Sequence, residues 1–272
     1  MKHSASKGGK LTVTLGASNS LAKVMSRPSG DISKVVHQVQ PAPNSQNAYR
    51  EHLFSTFQAL KFVKRLQPAD LNQVAAKTVH LPPTTRKTVI FDLDETLVHC
   101  VQDPSQAHLS LSVPFPTGET VTVGVNIRPF ARECLSAVSS FCEVIVFTAS
   151  LRSYADKVLD VLDPSHTLIS HRLYREHCVE VDGLFIKDLR VIAGRRLENL
   201  TLVDNSAYSF AYQLDNGVPI ISWYEDASDR ELCNLAAYLR QTLPLEDVRL
   251  AHRNTFRLHC FYDDYLRDFI RP

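Results

Sequence analysis

From residue 88 onward, apolar runs of strand length alternate with stretches at helical spacing. The run TVIFDL (88–93) is β-branched and aromatic, the pattern of a buried strand. Residues 109–127 contain LSLSVPF, a Thr-Gly turn and TVTVGVNI, and the alternation in the second run predicts a hairpin or small sheet. A helix is expected over 130–141, after Pro129, followed by the strand CEVIVFT (142–148). Ser150 can cap a helix running to about Leu162. The strands LTLVDN (200–205) and VPIISW (218–223) and a helix from about Ser228 to Leu239 follow. This βαβα order predicts an α/β fold: a mostly parallel, Rossmann-like sheet with helices on both faces.

Before residue 88 the pattern changes. Tyr49, Leu53, Phe57, Leu60 and Val63 recur at helical spacing within 47–66, and Lys61, Lys64 and Arg65 lie at the end where they suit the helix dipole. A lone amphipathic helix usually faces a core, so packing on the main domain is favoured over docking to a partner or a membrane surface. The stretch LPPTTRK (81–87) reads as a linker, because Pro82 and Pro83 forbid helix. Residues 1–46 are rich in Ser, Gly, Asn and Lys, with Asp31 the only acid, and are expected to be a disordered basic tail. The chain therefore divides into a tail (1–46), a helix and linker (47–84), a main domain (85–250) with an insertion at 101–127, and a C-terminal extension (251–272).

Composition narrows the class. The 272 residues are 44% hydrophobic and 22% charged, as in an ordinary globular chain. Residues 1–90 carry 13 Lys+Arg against 3 Asp+Glu, and residues 91–272 carry 17 against 26, so a net of +10 meets a net of −9. A basic arm on an acidic body is expected. It reads first as a solvated tail, with an acidic partner or membrane surface as the sharper alternative, and no direct nucleic-acid site is predicted. No apolar run reaches the roughly 18–20 residues of a membrane span, and the start lacks a signal-type stretch. A mitochondrial transit peptide is disfavoured because Arg27 is the only arginine of the tail. The six cysteines form no C-x-x-C pair, and unpaired thiols suit a nuclear or cytoplasmic location. No cysteine has an arginine six positions later, which excludes a cysteine-phosphatase loop.

The candidate chemistry lies at strand ends, where open α/β sheets bind their ligands. Asp92 and Asp94, in FDLDETLVH (91–99), would share a face in extended backbone. Two such carboxylates stay ionised together only beside a cation, and hard oxygen ligands select Mg²⁺. A carboxylate next to a metal-bound phosphate can attack phosphorus. Asp204 and Asn205, in LVDN, add oxygen donors at another strand end. Thr148 could hydrogen-bond a phosphoryl oxygen, and Lys187 could neutralise its charge. Alone, each of these signals is weak; a D-x-D is common in turns. Together, in chain order, they form a pattern.

That order, DLDET, FTAS, KDL and DNS, resembles the haloacid-dehalogenase-type phosphatases. More closely, it is similar to the small phosphatases acting on the C-terminal domain of RNA polymerase II and their Dullard-like relatives. The stretches NIRPFARECL, VIVFTASLRSYADKVLDVLD, RLYREHC, IKDL, LVDNSAYSF, LDNGVPIISWYEDASDREL and DVR carry the match over about 88–250. The resemblance implies a haloacid-dehalogenase-like fold and a Mg²⁺-dependent phosphoserine/phosphothreonine protein phosphatase. Asp92 would be the nucleophile. Asp94 would be the general acid and then the base, with its backbone carbonyl available to Mg²⁺. Thr96 would steady the loop or a phosphoryl oxygen. Thr148 and Lys187 would stabilise transition-state charge, and Asp204 and Asn205 would complete the Mg²⁺ shell. The small insertion would present an apolar pocket to a proline-containing phosphopeptide. Val121, Val123 and Val125 would line it, or would merely pack the hairpin, and Leu151 and Arg175 match other pocket positions. The alternatives are a non-catalytic interaction module of the same fold, a membrane-associated Dullard-like phosphatase, and a metabolite phosphatase. An insertion of about 27 residues is small for a metabolite-guarding cap.

Overall fold

The computed structural model describes residues 45–114 and 118–267. The expected tail therefore lies outside the described residues, except that 45 and 46 already belong to the first helix. In chain order the helices are α1 (Ser45–Val63), α2 (Leu71–Ala76), α3 (Ala131–Ser139), α4 (Arg152–Leu162), α5 (Glu231–Thr242), α6 (Val248–Phe256) and α7 (Leu258–Tyr265). The strands through the insertion are β1 (Val79–His80), β2 (Thr88–Phe91), β3 (Val98–Val101), β4 (Leu109–Pro114) and β5 (Thr120–Ile127). Those beyond it are β6 (Glu143–Phe147), β7 (His171–Leu173), β8 (Val179–Val181), β9 (Leu184–Ile186), β10 (Ile192–Ala193), β11 (Leu200–Asp204) and β12 (Gly217–Pro219).

The central sheet is parallel, in the order β12-β11-β2-β6-β7. All four residues of β2 are buried, as a β-branched and aromatic run in mid-sheet requires. Successive side chains of β2 serve opposite faces. Val89 and Phe91 join the core made with α3, α4 and α5, whereas Ile90 joins the core made with α1, α2 and α7. The chain continues from β2 to β6 on one side and places β11 on the other. The order thus switches direction at β2, and a crevice opens beyond its carboxyl end. The carboxyl ends of β2, β6 and β11 share that edge and bring Asp92, Thr148 and Asp204 to it.

The insertion forms a separate antiparallel sheet, β3-β5-β4. Gly124 of β5 is required there, because a Cβ would meet Pro104 Cα at 2.8 Å. VPIISW pairs only through Gly217–Pro219, and the helix expected from Ser228 begins at Glu231.

Two boundaries differ from the expected ones. Between the first helix and the linker expected at 81–87 lie α2 and β1, and β1 pairs in parallel with β10. The division at residue 250 cuts through α6, and α6 and α7 are part of the body. Their packing is non-local, which is why a chain-order reading cut them off. Phe57 of α1 stacks on Tyr262 and Tyr265 of α7, with ring centroids 4.9 and 4.7 Å apart. The apolar face of α1 is thereby buried at Phe57 and Leu60, while Tyr49 near its start is exposed. No helix among the described residues is long and apolar enough to cross a membrane. His252 of α6 is buried, with Nε2 2.9 Å from Thr201 Oγ1 and Nδ1 2.7 Å from the Tyr238 hydroxyl.

Phe57→Ala should destabilise the protein by about 3 kcal/mol, read from chemical denaturation, because it removes a buried ring from between two others. An unchanged midpoint would mean that α1 is not part of the folded body. Burial lowers the His252 pKa to about 4. As pH falls below about 6.5, the unfolded chain binds a proton that the folded chain refuses, so stability is lost down to about pH 4. The loss should approach ~1.4 kcal/mol per pH unit for this histidine. The difference in unfolding free energy between pH 7 and pH 5, read from urea denaturation, should shrink by about 2 kcal/mol in His252→Gln.

Candidate active site

The first segment of the site is the turn after β2. The Asp92 amide donates to Val203 O at 2.9 Å, which extends sheet pairing one residue past the strand. The chain then reverses sharply. Leu93 O accepts from the amides of Leu97 and Val98, and the Glu95 amide donates to Val98 O. Glu95 takes the left-handed conformation, with φ 59°. The reversal points the two carboxylates at different partners, although extended backbone predicted one shared face.

Asp92 meets Lys187. Its Oδ1 accepts from Lys187 Nζ at 2.5 Å, and the same Nζ donates to Asp204 Oδ2 at 2.6 Å. The ammonium is 1% exposed. Flanking it with two carboxylates offsets the cost of its burial, raises its pKa and keeps it charged. Local structure delivers Lys187 to this point. The β8–β9 hairpin closes on Asp182-Gly183, both at positive φ as a two-residue turn demands, and Lys187 directly follows β9. Its amide is held by Ser209 O at 2.8 Å. Asp204 Oδ1 accepts the Ser206 amide at 2.8 Å, which fixes the third member of the trio.

Asp94 meets hydroxyls. Ser150 Oγ donates to its Oδ2 at 2.7 Å, and the Tyr154 hydroxyl donates to its Oδ1 at 2.8 Å. Thr148 Oγ1 stands 3.5 Å from Oδ2 and accepts the Ser150 amide at 2.9 Å. The expectation that Ser150 caps the following helix is thus corrected. The cap residue of α4 is Leu151, with no side-chain cap bond, and the Ser150 hydroxyl belongs to Asp94. Tyr154 went unnoticed in the sequence, although it lies within SLRSYADKV; nothing local marks a helical tyrosine as facing a carboxylate.

Two further residues support the turn, and both lie within quoted motifs, Glu95 in DLDET and Arg128 in NIRPFARECL. Arg128 is fully buried, forks onto Asp229 at 2.9 and 2.8 Å, and donates to Thr96 O at 3.1 Å, pinning the end of the turn. Glu95 is fully buried, and burial together with the charges of Asp94 and Asp204 raises its carboxyl well above the usual range. Its Oε1 lies 3.2 Å from His99 Nδ1, while its Oε2 and Thr96 Oγ1 are buried without a hydrogen-bond partner among the described residues.

The donor set fits Mg²⁺. Burial, reinforced by Asp204 and Asp94, raises the Asp92 carboxyl well above its usual range, while Lys187 opposes the shift. One ammonium serves a crevice that holds Asp92, Asp94 and Asp204, so negative charge is in excess and a divalent cation would balance it. Among the described residues no group of three or more His, Cys, Asp or Glu side chains is placed to hold a metal ion, so a cation here would rest on fewer carboxylates together with amide or carbonyl oxygens. Both Asp94 carboxylate oxygens accept a hydroxyl hydrogen bond, and its backbone carbonyl is a further candidate oxygen for the cation. The Asn205 side-chain nitrogen donates to Ser222 Oγ at 2.9 Å, so its amide oxygen is the end left for a ligand.

The substrate-side candidates divide. Arg175 donates through Nε to Ala149 O at 2.6 Å and stacks over the Phe185 ring, while its Nη2 is buried without a partner. Leu151 is half-buried at the start of α4. Val123 and Val125 are corrections: they are buried in the core beneath the insertion sheet, so they pack the hairpin and offer a ligand little or no surface. Val121 is partly buried against the same core. A cavity of about 650 Å³ opens elsewhere, between α1 and the β8–β9 hairpin, and none of its lining residues is a candidate of this site.

This geometry can be set beside known proteins. The chain is 43% identical over 208 residues to CTD small phosphatase-like protein 2 of Dictyostelium discoideum, covering 75% of this chain and 36% of that one. It is 42% identical over 208 residues to CTD small phosphatase-like protein 3 of Caenorhabditis elegans, covering 74% and 71%. It is 40% identical over 164 residues to human carboxy-terminal domain RNA polymerase II polypeptide A small phosphatase 2, covering 60% and 59%. The match thus spans about a third of the first relative's length and most of the second's. The sequence profile of the NLI interacting factor-like phosphatases matches residues 87–249, from the first residue before β2 into α6 and through every strand end that builds the crevice. This chain belongs to that family, within the haloacid dehalogenase superfamily.

Proposed function

We propose that this chain is a Mg²⁺-dependent protein phosphatase that hydrolyses phosphoserine and phosphothreonine through a phosphorylated Asp92. One observation carries the reading: the two carboxylates of the D-x-D have opposite surroundings. Asp92 is paired with a buried ammonium, which opposes the upward push of burial on its carboxyl and so works toward the ionised form a nucleophile needs. Asp94 forms no direct ion pair among the described residues and is held by two neutral hydroxyls, partners that can stay bonded to it whether or not it carries a proton.

The reaction has two displacements. Asp92 attacks phosphorus, the bond from phosphorus to the seryl or threonyl oxygen breaks, and Asp94 gives that oxygen its proton. Asp94 then takes a proton from water as the water attacks phosphorus, which releases phosphate and restores Asp92. Lys187 neutralises charge on Asp92 and the phosphoryl oxygens in both steps, and the Thr148 hydroxyl lies at the crevice beside Asp94. Thr96 steadies the turn that carries both acids, through its carbonyl on Arg128. Mg²⁺, held by Asp92, the Asp94 carbonyl and Asn205, with Asp204 acting directly or through water, would supply screening of the phosphoryl charge.

The substrate class follows from what does not cover the site. The insertion is a small three-stranded sheet, which leaves room for a protein segment. The unpartnered Arg175 Nη2 suits an anionic substrate group, and Leu151 suits an apolar one. The human relative's name points to the RNA polymerase II C-terminal domain, and Ser-Pro sites of that kind are the substrates we propose, in a nuclear or cytoplasmic location.

Turnover of a phosphoserine peptide should require Mg²⁺, stop with EDTA and return when Mg²⁺ is restored. Asp92→Asn should lower kcat by on the order of 10³-fold or more. Turnover that survives this substitution would refute the nucleophile assignment.

A further inference from the structure

The Tyr154 hydroxyl and the Ser150 hydroxyl have no use in the reaction as written, yet both are buried and both are spent on Asp94. Tyr154 has no solvent exposure and sits among Ala155, Val158 and Leu159 of α4 in the core. Ser150 follows β6, and its amide is tied to Thr148 Oγ1 at 2.9 Å. Tyr154 stands on α4 and Ser150 in the bend between β6 and α4, and they reach different oxygens of one carboxylate, at 2.8 and 2.7 Å. Two bonds to two oxygens fix the rotation of a carboxyl group, whereas one bond leaves it free to turn. Among the described residues no ammonium or guanidinium forms a direct ion pair with Asp94, and the charge of Arg175 acts on it only from a longer range.

We propose that Tyr154 and Ser150 are positioning residues for proton transfer to the leaving oxygen, holding the Asp94 carboxyl in the orientation in which it meets that atom. The inference deepens the reading of Asp94 as general acid and rests on it. In the first displacement the bond from Asp92 Oδ to phosphorus forms, the bond from phosphorus to the alkoxyl oxygen breaks, and the Asp94 proton ends on that oxygen. A serine alkoxide cannot leave without the proton. A nitrophenolate can, so an aryl phosphate has little use for a correctly turned Asp94.

The test uses the full chain and compares a phosphoserine peptide with p-nitrophenyl phosphate. The quantity read is the first-turnover rate at saturating substrate, so that hydrolysis of phosphorylated Asp92 does not enter. Tyr154→Phe keeps the ring and removes the hydroxyl. It should slow the peptide by about tenfold or more and the aryl phosphate by less than about threefold, with little change in half-saturating peptide concentration. Ser150→Ala should show the same selectivity, and it serves as the second variant should Tyr154→Phe fail to fold. Equal slowing of both substrates, or a rise in half-saturating concentration alone, overturns the inference and makes Tyr154 a scaffold or a peptide contact. Asp94→Asn separates the two levels. If it slows both substrates equally, Asp94 is not the acid and both readings fall. If it slows only the peptide while Tyr154→Phe does not discriminate, the acid reading stands and the positioning role falls.

Discussion

The ammonium of Lys187, enclosed between the carboxylates of Asp92 and Asp204, is the contact on which the crevice depends. It joins the ends of three strands that are far apart in the chain, β2, β9 and β11, at one point. Two buried carboxylates would otherwise repel each other across the switch point of the sheet. An isolated buried ammonium would be equally unfavourable. Each charge is tolerable only because the others are present, so the site assembles as a unit or not at all.

That contact also gives two acids only two residues apart different surroundings. A single ammonium reaches one of them, and the turn through Glu95 carries the other away to the hydroxyls on the β6 side. The same residue type in the same tripeptide thereby acquires two environments. The turn is expensive to hold. It places a non-glycine residue in the left-handed region and buries the Glu95 carboxyl and the Thr96 hydroxyl. Arg128 is what the structure sets against this cost, bonding the turn from behind while Asp229 satisfies the rest of its guanidinium.

The surrounding layers hold the crevice from several sides. The insertion adds a small sheet beside the active turn, and its valines are largely consumed by packing. The helices at the two ends of the described chain, α1 and α7, close on each other through stacked aromatic rings on the far core. They complete the face that β2 shares through Ile90, so the sheet edge carrying the acids rests on packed layers on both sides.

The sequence alone determined the parallel α/β sheet, the acids at its strand ends, Lys187 and the family. These signals are local: a buried strand is an apolar run, and a strand-end acid is the residue that follows it. Tertiary structure decided the partners. Tyr154 meets Asp94 across 60 residues, Arg128 meets Asp229 across 101, and Lys187 meets Asp92 across 95, distances over which no periodicity extends. It likewise buried Val123 and Val125, gave Ser150 to a carboxylate instead of a helix end, and joined α6 and α7 to the body. A side chain's type states which bonds it can form, but only the folded chain fixes which competing partner stands within 3 Å of it.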